Sequence, residues 1–443
     1  MKFSILKENL NSALFIVSHI TGKNINLPIL NNVMIEAKDG NIKLISTNLE
    51  VGITHSLRGK IEKEGSFTVD SKVITDYVAL LPNKRVDIEK KENNLVVECE
   101  NYKTKVRGQA ADEYPLIPSV DKNDYYSAQV DEFKKALAQV VFAVSTSETR
   151  MELSGVFFNF NNHKLTLAAT DSYRLSEKEV NLKNGSGGGQ SIIVPARTLQ
   201  ELIRILSGLK ENGDTSGDNE EIKFYISDNQ ILFTIKSTEL ISRLIEGQYP
   251  DYKQIIPATA KTTALVNRAE LVRAVKASSL FSKTSINDVN LDFPKGKNQV
   301  VISSASDQTG ESVISLEANS RGEDNGVVIN YRYFLDGLNN LDGENVKIEI
   351  IDNNTPCLLK PEKEKDYLYI IMPIKQWDTR IKANLNEYSE LKRRWEFFVF
   401  LTEGFWRDTM IIALLFIFQN HEREKHHNQW FGNSNQWTYK KRE

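Results

Sequence analysis

Two cysteines in 443 residues, Cys99 and Cys357, cannot build a disulfide framework and point to a reducing compartment. Histidine is also scarce, at six. His19, His55 and His163 have no metal-ligand spacing among themselves, and His421, His426 and His427 lie in a polar stretch without cysteine partners. No metal and no cofactor is therefore expected. There is no G-x-S-x-G, no H-E-x-x-H and no dinucleotide fingerprint. The run GSGGG at Gly185 to Gly189 lacks a following GK[ST], which removes a phosphate-binding loop and leaves a flexible hairpin turn. Long apolar runs are missing too: Met410 to Phe418 is nine residues, against ~20 for a bilayer span. The opening MKFSILKENL turns polar too early for a signal peptide, so export is not expected. A large excess of one charge sign is absent, with a formal net charge of −3. Any contact with a nucleic acid must then come from positive charge gathered on one face.

What is present is a repeat. In VDEFKKALAQVVFAVS, Val130 to Ser145, the residues Phe133, Ala136, Leu137 and Val140 fall on one stripe of an α-helix. Leu10, Ala13, Leu14 and Val17 repeat that spacing, and so do Leu271, Ala274, Val275 and Ser278. Each copy follows a short strand-like run (Lys2 to Leu6, Ala128 to Val130, Thr263 to Val266). Alternating strand patterns come next, then a second helix (Asp70 to Leu81, Pro195 to Leu206, Asn330 to Leu341), then more strands. Three like units predict an α+β protein, each unit an antiparallel sheet structure with two helices on one face. Units one and two close alike, on Tyr114-Pro115 and Tyr249-Pro250. Gly208 opens a polar, aperiodic stretch that reads as a loop.

The second helices align residue by residue. Ile74, Leu199 and Phe334 share a place, as do Val78, Ile203 and Leu338, and Leu81, Leu206 and Leu341. Beside them stand Lys72, Arg197 and Arg332, one cation in each helix. A single surface lysine carries no information. Three in register point to a shared surface with one electrostatic task. Lys134, Lys135, Arg273 and Lys276 add positive charge to the first helices, while acidic residues gather in loops such as Asp214 to Glu221. Asp171, Ser172 and Arg174 could suggest a nucleophile, but an Asp-Ser pair after a strand more often bonds local backbone in a turn. Asn48 and Asp307 at the matching places fit a turn.

The segments LPIL (Leu27), ELSGVFF (Glu152), AATDSYRLSE (Ala168), IIVPAR (Ile192), GQYPDYKQIIP (Gly247) and YIIMPIK (Tyr369) occur in order across all three units. Together they resemble the bacterial DNA polymerase III β subunit family, the sliding clamps. The resemblance runs from Met1 to about Gln376. It implies clamp domains at 1–122, 126–258 and 262–376, with sheets outside and two helices each inside, forming half of a ring. It implies a non-enzymatic processivity factor that closes as a head-to-tail homodimer around double-stranded DNA, without reading sequence, in the cytoplasm at the nucleoid. Lys23, Lys72, Lys134, Lys135, Arg197, Arg273, Lys276 and Arg332 would then face the bore. The family's peptide pocket, which receives replicative polymerase, clamp loader and other clamp-binding proteins, would comprise Leu153, Thr170, Ser172, Tyr173, Arg174, Leu175, Pro250, Ile255, Met372, Pro373 and Ile374. Ser172-Tyr173 replaces the small-residue-plus-histidine pair common in the family, which changes the pocket's shape.

Beyond the motif, residues 377–443 depart from the family pattern. All five tryptophans lie there. This extension is expected to be helical, either appended, adventitious or an interfacial anchor, and starts close enough to Met372 to cover the pocket. Two rival readings remain: a membrane-tethered scaffold acting through residues 377–443, and a hydrolase using Asp171, Ser172 and Arg174.

Overall fold

A computed structural model describes residues 1–22, 26–147, 149–161, 163–185, 189–211, 220–283 and 285–375. Lys23, residues 214–219 of the acidic loop, the centre of GSGGG and everything in 377–443 lie outside the described residues.

Domain 1 runs β1 (Lys2–Leu6), α1 (Lys7–Ser18), β2 (Asn32–Lys38), β3 (Asn41–Thr47), β4 (Val51–Leu57), β5 (Lys60–Lys63), β6 (Gly65–Asp70), α2 (Ser71–Leu80), β7 (Arg85–Lys91), β8 (Asn94–Cys99) and β9 (Tyr102–Gln109). Domain 2 repeats the order as β10 (Tyr126–Gln129), α3 (Val130–Val141), β11 (Gly155–Asn161), β12 (Lys164–Thr170), β13 (Arg174–Gly185), β14 (Gln190–Pro195), α4 (Ala196–Glu211), β15 (Glu221–Ile226), β16 (Gln230–Ile235) and β17 (Thr238–Arg243). Domain 3 follows as β18 (Thr262–Asn267), α5 (Arg268–Ser279), β19 (Asp288–Phe293), β20 (Gln299–Ser306), β21 (Gly310–Gly322), β22 (Asn325–Asn330), α6 (Tyr331–Asn340), β23 (Asn345–Ile350), β24 (Cys357–Pro361) and β25 (Tyr367–Ile371). The long strands β13 and β21 correspond to the pair β4 and β5 in domain 1, where the strand is interrupted.

Every described pairing is antiparallel, as alternating patterns require when one strand face is buried. In domain 2, β10-β15-β16-β17 and β11-β12-β13 with β14 form two ladders that share β13. The helical stripes meet their expectation: Leu10, Ala13, Leu14, Val17, Phe133, Ala136, Leu137, Val140, Leu271, Ala274, Val275 and Ser278 are all buried. Around Phe133, edge-to-face contacts with Phe158 and Phe224 tie α3 to both ladders of its domain.

Sheets continue from one domain into the next. β4 pairs with β17, with Ile53 opposite Leu240. β13 pairs with β25, with Ser176 opposite Tyr369. Each ladder is flanked by the same extra bond: Arg243 N donates to Glu50 O at 3.0 Å, and Met372 N to Tyr173 O at 2.8 Å.

Two sequence expectations need correction. Gly208 does not open a loop, because α4 continues through it to Glu211. A Cβ at Gly208 would lie 3.2 Å from the Phe15 ring, so glycine there admits a side chain from domain 1 that no local pattern could announce. Ile203 is only partly buried, unlike its aligned partners Val78 and Leu338.

Candidate nucleic-acid interface and interdomain groove

Lys72, Arg197 and Arg332 are each the second residue of a helix, and all three are exposed. A cation in the first turn opposes the helix dipole, costing about 0.3–1 kcal/mol where an anion would stabilise. Helix stability therefore does not explain the threefold recurrence. Asp70 and Asn330 cap α2 and α6 by accepting from Val73 N and Arg332 N, so it is the exposed side-chain cations that a phosphate would find attractive. Arg273 and Lys276 are exposed on α5. Lys134 is half-buried on α3, and its neighbour Lys135 is committed elsewhere: its ammonium pairs with Asp342 at 2.7 Å and Glu364 at 3.0 Å. Lys135 thus links domains 2 and 3 rather than standing free.

Four residues beyond each of those cations is a carboxylate: Asp76, Glu201 and Asp336. Sequence reasoning missed this set, though the spacing was there to be read. Glu201 is buried, bonded to His19 at 2.6 Å and to Arg204. The Arg204 guanidinium also donates to Phe15 O at 3.0 Å and Ile16 O at 2.8 Å, and stacks 4.8 Å from the Phe15 ring. It caps the C-terminal end of α1 with positive charge, where the helix dipole favours it. Asp336 bonds the Arg174 guanidinium at 2.6 Å, and Arg174 donates to Phe142 O, just past α3, at 3.0 Å. Two junctions thus use one device, an arginine joining a carboxylate of one domain to helix-end carbonyls of the domain before it. Asp76 has no ion-pair partner among the described residues.

The second junction also gathers residues of the expected peptide pocket. Thr170 Oγ1 donates to Arg174 O at 2.6 Å, while Asp171 Oδ1 accepts from Tyr173 N at 2.9 Å and Arg174 N at 3.0 Å. Asp171 Oδ2 accepts from Arg174 Nε at 2.9 Å. Domain 1 repeats this turn atom for atom: Thr47 Oγ1 donates to Val51 O, and Asn48 Oδ1 accepts from Glu50 N and Val51 N. Even the left-handed residue recurs, with Leu49 at φ 76° and Ser172 at φ 78°. Turn chemistry explains Asp171. The Ser172 hydroxyl accepts from Arg150 Nη1 at 3.2 Å, a guanidinium that cannot act as a base.

Beneath the turn, Leu153 and Leu175 pack with Ala168, Tyr249, Tyr252, Leu358 and Ile370. Pro250 and Ile255 border this cluster on the segment that carries Tyr249 and Tyr252. Tyr173 is exposed and lies parallel to Tyr333 at 6.4 Å, and Met372 is tied to it through the backbone. Pro373 follows half-buried, and Ile374 N donates to Val328 O at 2.7 Å, which draws that residue onto β22 and off the Tyr173 turn. Tyr249 and Tyr252, read in sequence only as part of a closing motif, were not among the expected pocket residues. Burial, and then the 2.6 Å bond to Glu177, hold the Tyr252 phenol above its ordinary value; burial raises Tyr249. Both stay protonated and are buried in that apolar cluster. Among the described residues no group of three or more His, Cys, Asp or Glu side chains is placed to hold a metal.

Family models for the N-terminal, central and C-terminal domains of the DNA polymerase III beta subunit match residues 1–118, 128–251 and 253–375. A beta sliding clamp of Staphylococcus epidermidis is 29% identical over 391 residues, covering 85% of this chain and all of that relative. The Bacillus subtilis beta sliding clamp is 28% identical over 388 residues with the same coverage. The crystal structure of the Bacillus subtilis DNA polymerase sliding clamp matches with a TM-score of 0.79 at 27% identity, over 85% of this chain and all of that one. The DNA polymerase III beta subunit of Thermotoga maritima matches at 0.77 and 26%, with equal coverage. In sequence, in domain order and in fold, the chain belongs to the DNA polymerase III beta subunit family.

Proposed function

We propose that this chain, a DNA polymerase processivity factor of the sliding clamp family, encircles duplex DNA as a head-to-tail homodimer. The role is non-catalytic, and enclosure rather than affinity retains the polymerase. The observation that carries the reading is an unfinished third junction. On α4, the residues Thr198, Glu201, Leu202 and Ile205 are buried. On α2 the aligned residues are Val73, Asp76, Tyr77 and Leu80, with Val73 52% and Leu80 80% exposed. The residue just past each first helix follows suit: His19 meets Glu201, Phe142 meets Tyr369 and Arg174, but Leu280 is 73% exposed.

Strand edges agree. β9 is the counterpart of β17 and β25, and the first half of β21 is the counterpart of β4 and the first half of β13. Apart from the end of β9, where Gly108 and Gln109 pair with β6, neither edge has a second partner strand among the described residues. β9 presents Lys103, Lys105 and Arg107, whereas β21 presents Glu311, Val313 and Glu317. Basic against acidic, with an exposed valine between, suits antiparallel pairing of two copies. Two such pairings bring six domains into one closed assembly.

Within it, Lys72, Arg197, Arg332, Arg273 and Lys276 attract phosphates without reading bases. Screening over ~8 Å at physiological salt keeps such contacts weak and exchangeable. Lys23 and Lys134 belong to the same proposal, while Lys135 is better placed as a junction residue. The groove between domains 2 and 3 receives short peptides of the polymerase, the loader and other clamp-binding proteins, its aliphatic floor taking leucine or phenylalanine anchors. Nothing favours the hydrolase reading once the Asp171 turn is seen twice. For the membrane reading, no helix of the described residues is long and apolar enough to cross a bilayer, and the 377–443 extension lies outside them.

Loaded protein should remain on circular DNA and run off the same DNA once linearised. A Lys72/Arg197/Arg332 triple alanine should still dimerise but load or slide poorly at low salt. Equal retention on linear and circular DNA would remove encirclement, and wild-type behaviour of the triple variant would place those residues elsewhere.

A further inference from the structure

The first junction also holds a groove. Between domains 1 and 2 lies a cavity of about 200 Å³, floored by Val51, Pro115, Ile117 and Ile241. It is smaller than the ~300–1,000 Å³ of a small-molecule pocket and suits the side chains of one or two apolar residues. Gly52 shapes the floor: a Cβ there would come within 2.9 Å of Ile117 and 3.0 Å of Ile241.

We propose that this groove is a second peptide-docking site, taking a short extended peptide by one aliphatic or aromatic anchor. The proposal rests on the reading that the groove between domains 2 and 3 docks such peptides, and it extends that chemistry to a place with the same construction. Both grooves sit on an interdomain ladder (β4 with β17, β13 with β25). Both are rimmed by the Thr-Asx turn with its left-handed third residue. A Tyr-Pro segment recurs at each, Tyr114-Pro115 or Tyr249-Pro250, and Pro115 lines the first cavity. Beneath each, a cross-strand apolar pair anchors a small cluster: Leu232 opposite Ile241, and Leu358 opposite Ile370.

The differences concern the occupant. Val51 stands where Arg174 stands in domain 2, so no guanidinium crosses the floor, and the cavity lies open. Arg243 stands where Met372 does, exposed and without an ion-pair partner among the described residues, ready for a peptide carbonyl or a flanking carboxylate. At the lip, Leu116 is 92% exposed, held between Pro115 and Pro118. An apolar side chain on a stretch stiffened by two prolines loses little conformational freedom when covered.

The test is a titration of the full chain with a fluorescein-labelled hexapeptide carrying two leucines and a terminal phenylalanine. Wild-type protein should take two peptides per chain. Leu116→Asp, an exposed site that leaves the core untouched, should remove one by weakening it at least tenfold, and Met372→Asp should remove the other. The proposal fails if Met372→Asp abolishes all binding while Leu116→Asp changes nothing. If only Leu116→Asp loses binding, the first groove stands and the reading of the second falls. No binding to wild-type protein overturns both.

Discussion

The two junctions inside the chain solve one problem with different parts. At the first, Arg204 comes from α4 of the later domain, reaches back to the end of α1, and pairs with a buried Glu201. At the second, Arg174 comes from β13 of the earlier domain, bonds its own domain's Phe142 O, and reaches forward to Asp336. Only the carboxylate position and the helix-end carbonyls are shared. What persists between the repeats is therefore the place where charge is needed; the element supplying the cation is free to change. By that logic the proposed third junction would set a cation of another copy against the exposed Asp76.

The comparison breaks most readily at Arg174. Replacing it with alanine leaves the largely buried Asp171 with its backbone bonds alone and frees Asp336, and should cost about 3 kcal/mol in urea unfolding, the low end for a broken buried pair. A loss below about 1 kcal/mol would mean that the ladder alone holds domains 2 and 3. Next comes the third junction. Leu80→Asp should weaken the dimer roughly 100-fold, near 2.7 kcal/mol, seen by sedimentation equilibrium, with the melting temperature of the separated chain unchanged. A dimer of undiminished affinity would show that α2 is not the covered face.

The smallest effect is a pH dependence confined to the first junction. His55 on β4 meets Thr238 of β17 at 2.8 Å, and burial pushes its imidazole down from 6.5 to about 4. The unfolded chain then binds the extra proton between those values, so stability is complete above about pH 6.5 and falls as the pH drops toward 4. The loss should be roughly 2 kcal/mol by the linkage relation, after allowance for the part of the ring that solvent reaches. His55→Gln should flatten that part of the unfolding profile, and an unchanged profile would assign the acid loss to other groups.

Much of this was legible because it is local. The stripe on α3 is a 3.6-residue period, and Leu10, Phe133 and Leu271 keep their places whatever lies around them. The cations Lys72, Arg197 and Arg332 were found by alignment of neighbours, and the Asp171 turn by its residue types. The junctions were not legible, since Arg204 and Phe15 are far apart in sequence and no period connects them. Gly208 shows the same limit: locally a helix breaker, it is the space into which another domain's phenylalanine fits. The Asp76, Glu201 and Asp336 set was visible in spacing, yet four residues after a cation it reads as an intrahelical pair. Only the fold reveals that Glu201 and Asp336 bond partners outside that pairing.

The ladders β4–β17 and β13–β25 join domains that one polypeptide also connects, so those domains stay tethered even when a ladder opens. A seam between β9 and β21 of separate copies has no such tether. In the proposed dimer, a load that opens the assembly would be relieved there, at a boundary with no covalent link across it.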